Sequence, residues 1–212
     1  PMYWAQRRAE RRPDIIEALV QQYHYTERIA LDDWEQRGWY LESTGSLVLD
    51  RHHRIAYACR SNRCSEAAVQ AWCQQMGYQP ILFDAVDQRG HIIFHTNVLM
   101  AVGPRAVPIS LAALPNPQEQ DRLLQTLHQT QKTVVPLTPA QIDHFAGNML
   151  AIQTPNGPAW VLSSQAYHSL TEAQVDALTA DGSVLLYAPL DTIERYGGGS
   201  ARCMLGELYP CQ

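Results

Sequence analysis

Apolar and polar residues follow a pattern along this chain that repeats roughly every fifty residues. Two short apolar runs, 46–50 and 55–59, flank a polar turn and predict two strands. A helix is predicted over 65–76, because Ser65 can cap its start and Gly77 stands where helices commonly end. A buried strand is predicted over 80–84, so the repeating unit is strand, strand, helix, strand.

The same order recurs twice further along the chain. The second unit comprises strands over 92–102 and 106–110, a helix over 117–130 and a strand over 133–137. The third comprises strands over 148–153 and 159–163, a helix over 171–180 and a strand over 183–187. Thr171 is a plausible cap for the helix of this third unit.

The two ends of the chain look like parts of further units. Residues 12–23 predict a helix and 26–31 a strand, as in the back half of a unit, whereas 202–209 predict the first strand of another. Three full units with partial ends do not close a ring, and they would leave strand edges unpaired. We therefore expect an α/β repeat fold that lacks an N-terminal segment, with residues 1–212 forming a single domain.

The composition of the chain bears on its binding partners and on its location. The formal net charge of −5 gives no electrostatic reason to expect nucleic acid or an anionic membrane. No apolar run approaches the ~20 residues of a membrane span, and the first residues do not resemble a signal peptide. The five cysteines include no C-x-x-C pair, which favours reduced thiols and a cytoplasmic location. Four of them are interpreted as structural or surface thiols: Cys59, Cys64, Cys73 and Cys211.

The clearest candidate for chemistry is the segment Tyr196-Gly-Gly-Gly-Ser-Ala-Arg-Cys203. Its glycines permit close approach of a ligand, and Cys203 follows them where a strand is predicted to start. A thiolate at this position could attack an electron-poor carbon, which makes Cys203 the candidate nucleophile. The alternatives are an ordinary linker and an inert structural cysteine.

Two further residues occupy equivalent places in the repeat. His95 opens the first strand of the second unit and is the candidate general acid and base; the alternative is a structural histidine. Glu42 opens the first unit and could orient His95, unless it is a solvated loop carboxylate. Gly147 and Asn148 stand in the same place in the third unit. Equivalent positions of a cyclic repeat converge on one axis, so we expect these residues to meet Cys203.

Basic residues suggest how an amino-acid substrate could be held. Arg63 precedes the helix predicted over 65–76 and is positioned to bind an anion. Arg7 lies in the run RRAERR, which is either a solvated charged face or a partner for a substrate carboxylate. His91 and His95 are four residues apart, but no obvious ligand set surrounds them, so neither a metal nor a cofactor is expected.

The combination of motifs resembles the guanidino-group-modifying enzymes of the pentein fold, a five-bladed β/α-propeller of ββαβ units. This superfamily includes arginine deiminases, dimethylarginine hydrolases and amidinotransferases. The match is strongest to the bacterial citrulline hydrolase branch, which is often labelled amidinotransferase-like. The matching strings are RRAERR, ESTGSLVLDRHHRIAYACRSNR, FDAVDQRGHIIFHTNVLMAVG, FAGNML and IERYGGGSARCMLGELY.

The resemblance implies a role for each candidate residue. Cys203 would carry the covalent intermediate, His95 would be the acid and base, and Glu42 would support it. The S-x-R motif ending at Arg63 would bind the substrate α-carboxylate, with Arg7 as a second such arginine. A further acid that grips the reacting nitrogens in this superfamily lies in an early F-x-x-D or D-x-x-F segment, which this sequence does not contain.

One departure from the superfamily pattern bears on the substrate. Arginine deiminases have H-x-D at the catalytic histidine, whereas this chain has His95-Thr96-Asn97. An amide can donate a hydrogen bond to a neutral ureido oxygen, so Asn97 favours citrulline over a cationic guanidine. We therefore expect a citrulline hydrolase acting through a thiocarbamoyl intermediate. An arginine deiminase, an amidinotransferase and an inactive binding protein are the alternatives, and the sequence leaves homo-oligomerisation open.

Overall fold

A computed structural model describes residues 1–208 of the chain. It is a mixed α/β structure. Its strands are β1 (Val48–Asp50), β2 (Ile55–Cys59), β3 (Gln79–Phe83), β4 (Ala106–Ile109), β5 (Thr133–Pro136), β6 (Leu150–Thr154), β7 (Gly157–Ser163) and β8 (Val184–Ala188). Its α-helices are α1 (Pro13–Tyr23), α2 (Ser43–Ser46), α3 (Glu66–Met76), α4 (Pro117–Gln129), α5 (Pro139–Asp143), α6 (Ser164–Ser169), α7 (Glu172–Thr179) and α8 (Asp191–Gly197).

The first unit has the predicted strand, strand, helix, strand order. Strands β1 and β2 pair antiparallel across a turn that ends at Arg54 with a positive φ of 55°. Strands β2 and β3 pair parallel, with α3 as the crossover between them. Gly77 ends α3 in the left-handed conformation that glycine adopts most readily (φ 69°). All five residues of β2 are buried, as expected of a strand covered on both faces.

The third unit repeats this arrangement. Strand β6 pairs antiparallel with β7, which pairs parallel with β8. Helix α7 starts with a complete capping box, in which the side chains of Thr171 and Gln174 each bond the other residue's backbone N–H. The predicted cap at Thr171 is confirmed.

The second unit keeps only its last two strands. Strands β4 and β5 pair parallel beneath α4, but the strand predicted over 92–102 is wrong. That segment makes isolated bridges and a 3₁₀ turn over Thr96–Val98. The cause is the buried Thr96, whose hydroxyl donates to the Ser46 carbonyl at 2.6 Å and accepts from the Cys59 N–H at 2.8 Å. These bonds tie the segment to the first unit instead of to a neighbouring strand.

Both predicted terminal strands are also wrong over the part of the chain that the structure describes. Residues 26–31 form no strand, and 26–30 are exposed. Instead of a strand beginning at 202, a 3₁₀ turn spans Ala201–Met204, because the Cys203 N–H bonds back to the Ser200 carbonyl at 3.0 Å. Residue 209, the last of the predicted strand, lies outside the described residues.

The core consists of three apolar clusters, and one of them joins two units. The joining cluster packs β2 and β3 of the first unit against β4 and α4 of the second, around Tyr57, Phe83 and Leu123. The second lies beneath α3, and the third surrounds the fully buried Trp160. Within residues 1–208 the three sheets stay separate and close neither a barrel nor a propeller. In this range no helix has both the length and the apolar character needed to cross a bilayer.

Candidate active site

One open cleft, of about 940 Å³, contains all six residues singled out from the sequence. Its wall is formed by the N-terminal segment, the turn around α2, the segment before β4 and the glycine-rich loop after α8. The six residues are Arg7, Glu42, Arg63, His95, Asn97 and Cys203. Glu42, His95 and Cys203, which occupy equivalent positions of the sequence repeat, therefore line the same cleft, although the strands predicted at His95 and Cys203 do not form.

Glu42 and His95 form a hydrogen-bonded pair in this cleft. Nε2 of His95 lies 2.9 Å from Oε2 of Glu42, while Oε1 of Glu42 accepts the Tyr3 N–H at 3.1 Å. Burial alone would raise the pKa of Glu42, but the bonds from His95 and Tyr3 and the nearby charge of Arg63 outweigh it and hold this pKa below its usual range. Glu42 is therefore an ionised acceptor that can orient the imidazole and stabilise its protonated form.

Gly45 allows the His95 ring to sit close to α2. A Cβ added at Gly45 would lie 3.0 Å from Cγ of His95, which is too close without a shift of the ring. Helix α2 also carries Ser46, whose hydroxyl bonds the Arg63 carbonyl at 3.1 Å and so connects the candidate carboxylate site to the same turn. The first unit thus places both Glu42 and Arg63.

Cys203 lies on the 3₁₀ turn and is exposed to the cleft. The glycine-rich loop before it is anchored by the buried Ser200, whose hydroxyl donates to Oε1 of the buried Glu194 at 2.6 Å. Gly199 permits close packing, because a Cβ there would lie 3.0 Å from the Cys203 sulfur. The loop is therefore a shaped support for the thiol and not a linker.

The other described cysteines are unsuited to nucleophilic attack. Cys59, Cys64 and Cys73 are buried, and burial raises their thiol pKa values to about 11, 12 and 11 respectively. A thiol with so high a pKa is almost wholly protonated near pH 7. Cys211 lies outside the described residues.

Two buried amides donate to the Cys203 sulfur. Nδ2 of Asn148 lies 3.2 Å and Nδ2 of Asn97 lies 3.5 Å from Sγ. The Asn148 amide also donates to the Asn97 carbonyl at 2.9 Å. The sequence repeat predicts that Asn148 lies with the converging residues, but it does not predict the bond to the sulfur, because a repeat gives the position of a residue and not its hydrogen-bond partner.

The two arginines proposed to bind a substrate carboxylate differ in whether a carboxylate of the protein already bonds them. Arg63 lies over the Phe94 ring at 5.1 Å, and its Nη1 is 3.9 Å from Oε2 of Glu42. Arg7 is bonded through Nε and Nη2 to the carboxylate of Glu10 at 2.9 and 3.0 Å. Arg63 can thus accept a substrate anion directly, whereas Arg7 would have to exchange partners. His91, the other histidine considered for a metal, bonds Asp87 on an exposed loop.

The cleft brings together an exposed thiol, an imidazole and a carboxylate, and such a set is able to carry out covalent attack on a planar carbon. On an α/β framework whose first and third units keep the order strand, strand, helix, strand, this set indicates an enzyme of the pentein guanidino-group-modifying superfamily. The family model described as N,N dimethylarginine dimethylhydrolase, eukaryotic, matches residues 1–210. The chain therefore belongs to this family, within a superfamily of C–N hydrolases and amidinotransferases.

Solved structures share the fold at low sequence identity. Apo ArgZ, an arginine dihydrolase from the ornithine–ammonia cycle in cyanobacteria, is 14% identical with a TM-score of 0.69, over 96% of this chain and 29% of that one. The substrate-bound N-terminal domain of ArgZ is 15% identical with a TM-score of 0.67, over 95% and 66%. Unliganded AgrE is 18% identical with a TM-score of 0.60, over 76% and 21%. The chain thus spans less than two thirds of these proteins, and no curated protein matches it.

Proposed function

We propose that residues 1–212 are a single catalytic domain that hydrolyses the ureido C–N bond of citrulline to give ornithine, ammonia and carbon dioxide. The supporting observation is the neutral surrounding of the nucleophile. In residues 1–208 the side chains that hydrogen-bond Sγ of Cys203 are two uncharged amides, Asn97 and Asn148. Next to these two amides, a neutral ureido group is better accommodated than a guanidinium, whose charge favours a carboxylate partner, and the Glu42 carboxylate in the cleft is already bonded to His95 and Tyr3.

The reaction would proceed in two displacements. The Cys203 thiolate attacks the ureido carbon, and His95 protonates the terminal nitrogen, which leaves as ammonia. The remaining S-carbamoyl enzyme still carries the δ-nitrogen of the substrate. His95 then deprotonates a water, which attacks the same carbon and releases the thiolate and an N-carboxylated ornithine, and this product loses carbon dioxide to give ornithine.

The remaining cleft residues would bind and orient the substrate. Glu42 holds His95 in one orientation and stabilises the imidazolium through its 2.9 Å bond. Arg63 would bind the α-carboxylate, because its guanidinium lines the cleft and its Nη1 is 3.9 Å from Oε2 of Glu42, beyond hydrogen-bond distance. Arg7 would assist after releasing Glu10, and Asn97 would donate to the ureido oxygen. A cytoplasmic location belongs to the same proposal, since the free thiol must stay reduced.

Product analysis with a cysteine variant tests the proposal. The chain is incubated with L-citrulline, and ornithine and ammonia are quantified by mass spectrometry. Cys203→Ala should abolish ornithine release, whereas Cys73→Ala, at a buried thiol on α3, should retain it. Undiminished release by Cys203→Ala would refute the assignment of the nucleophile.

The alternative substrate is a guanidine, which the name of the matching family model favours. The same assay with L-arginine and Nω,Nω-dimethylarginine separates the two, because attack on a guanidine yields citrulline with ammonia or dimethylamine. Citrulline formed from either compound, without ornithine from citrulline, would replace the proposal by this alternative. No product from any of the three would support a binding protein without catalysis.

A further inference from the structure

The side-chain amide of Asn148 has its orientation fixed by a backbone group. Its Nδ2 lies 2.9 Å from the carbonyl oxygen of Asn97, and a carbonyl oxygen can only accept a hydrogen bond. The NH₂ end of the amide must therefore point this way, and its second hydrogen is directed to Sγ of Cys203 at 3.2 Å. Exchanging the amide oxygen and nitrogen would set two oxygens against each other.

This orientation distinguishes between the two states of the thiol. An N–H can donate to a thiolate, which is a strong acceptor, but it cannot accept the proton of an S–H group. Oδ1 of Asn148, which could accept that proton, is buried and has no hydrogen-bond partner among residues 1–208. The amide thus stabilises the ionised sulfur more than the protonated one, and the Asn97 amide adds a second, longer donor at 3.5 Å.

The fold builds this contact by bringing the third unit against the second. A Cβ at Gly147 would lie 2.3 Å from the Val98 carbonyl oxygen, so only glycine permits the close approach of the two backbones. Asn148, next in the chain, is 1% exposed, and its own carbonyl accepts the Arg202 N–H at 3.4 Å, beside Cys203. Asn148 is therefore held by hydrogen bonds from both its side-chain amide and its backbone carbonyl.

We propose that Asn148 is a positioning residue that fixes the Cys203 sulfur in the cleft and stabilises its thiolate before substrate binds. The inference rests on the proposed function only in taking Cys203 as the nucleophile. It goes beyond that function by assigning a role to a residue that neither acts on the substrate nor belongs to the acid–base pair.

The test is the pH profile of the thiol in Asn148→Asp, which keeps the size of the side chain and replaces the donating NH₂ by an oxygen. Two quantities are measured from pH 5 to 10. The first is the thiolate absorbance at 240 nm, and the second is the rate at which iodoacetamide modifies Cys203, determined by mass spectrometry of the peptide that contains it. We expect the profile to move to higher pH and the rate at neutral pH to fall about tenfold or more, because the thiolate loses a hydrogen bond and gains a like-charged carboxylate as its neighbour. Asn156→Asp, the same substitution at an exposed turn between β6 and β7, is the control and should leave the profile unchanged.

A profile of Asn148→Asp that coincides with that of Asn156→Asp would overturn the proposal. If Asn148→Asp does not fold, the unmodified protein decides by NMR. The side-chain NH₂ signals of Asn148 should shift with pH in parallel with the 240 nm absorbance and lose this shift in Cys203→Ser. Signals insensitive to pH in the unmodified protein would refute the contact. Both measurements need no substrate, so they stand whether citrulline is hydrolysed or not.

Discussion

Nε2 of His95 lies 2.9 Å from Oε2 of Glu42, although the two residues are 53 positions apart in the chain. The pair connects the start of the first repeat unit to the start of the second. Because Oε1 of Glu42 is held separately by the Tyr3 N–H, the carboxylate has a defined orientation of its own. The Glu42 carboxylate, whose own orientation is fixed by the Tyr3 N–H, thus orients the imidazole of His95. An acid–base histidine commonly has such an orienting partner.

Replacing Glu42 by Gln should lower the proposed citrulline turnover about a hundredfold or more, because the imidazolium loses its charged partner and its fixed tautomer. The measurement is kcat for ornithine release by purified variants. Glu172→Gln, at an exposed glutamate in the first turn of α7, serves as the control and should match the unmodified enzyme. Equal kcat values for both variants would show that His95 does not depend on Glu42.

The lowered pKa of Glu42 makes its contribution to stability depend on pH. A carboxyl whose pKa is lower in the folded than in the unfolded chain stabilises the folded state at pH values above the ordinary glutamate pKa of about 4.3. This stabilisation is lost as the pH falls through the lower pKa of the folded state. The difference in unfolding free energy between the unmodified protein and Glu42→Gln should thus be largest near pH 6 and disappear at the lowest pH that the fold tolerates. Urea denaturation at several pH values measures it, and a difference that grows on acidification would contradict the argument.

Gly45→Ala should disturb His95 without unfolding the protein. The added methyl would lie 3.0 Å from Cγ of the imidazole, so the ring must shift from its bond to Glu42. We expect turnover to fall about tenfold or more, with an unfolding free energy reduced by about 1–3 kcal/mol, as for other overpacked sites. Gly206→Ala, where a Cβ meets no atom within 4 Å, is the matched control. A fall in Tm without a fall in turnover would argue against the steric account.

The buried ion pair of Lys132 and Asp50 should matter for stability. Nζ of Lys132 lies 3.2 Å from Oδ2 of Asp50 and donates to the carbonyls of Gly103 and Pro104, each at 2.9 Å, so it joins the first unit to the second. Lys132→Met should cost about 3–5 kcal/mol, because it leaves the Asp50 carboxylate buried with fewer partners. Urea denaturation should show that the double variant Lys132→Met/Asp50→Asn regains part of the unfolding free energy lost in Lys132→Met. Strictly additive effects of the two substitutions would show that the pair is not coupled.

Alkylation should distinguish Cys203 from the buried cysteines. With iodoacetamide at pH 8, peptide mapping should find Cys203 modified at least about tenfold faster than Cys59, Cys64 and Cys73, whose thiols are buried and have raised pKa values. In urea the four rates should become similar, because unfolding removes the burial. Equal rates in the native protein would show that the cleft does not expose Cys203 selectively.

Much of the local structure follows from the sequence, because its causes lie within a few residues. Apolar runs bounded by turn residues predict β2 and β7, and the Ser65 and Gly77 positions bound α3 within one residue. The capping pattern at Thr171 is likewise local. The predicted strand over 92–102 fails because a strand needs a partner, and Thr96 instead bonds the backbone of the first unit.

The repeat in the sequence gives Glu42, His95, Asn148 and Cys203 equivalent positions, and hence predicts that they lie close together. Only the tertiary structure decides what each side chain bonds there. The glycine at 147 lets two backbones approach, so that Asn148 reaches the sulfur. Likewise, Asn97 directs its amide nitrogen to Cys203, 106 positions further along the chain. Such contacts join segments far apart in the chain, and their geometry depends on packing distances that no local pattern of residues specifies.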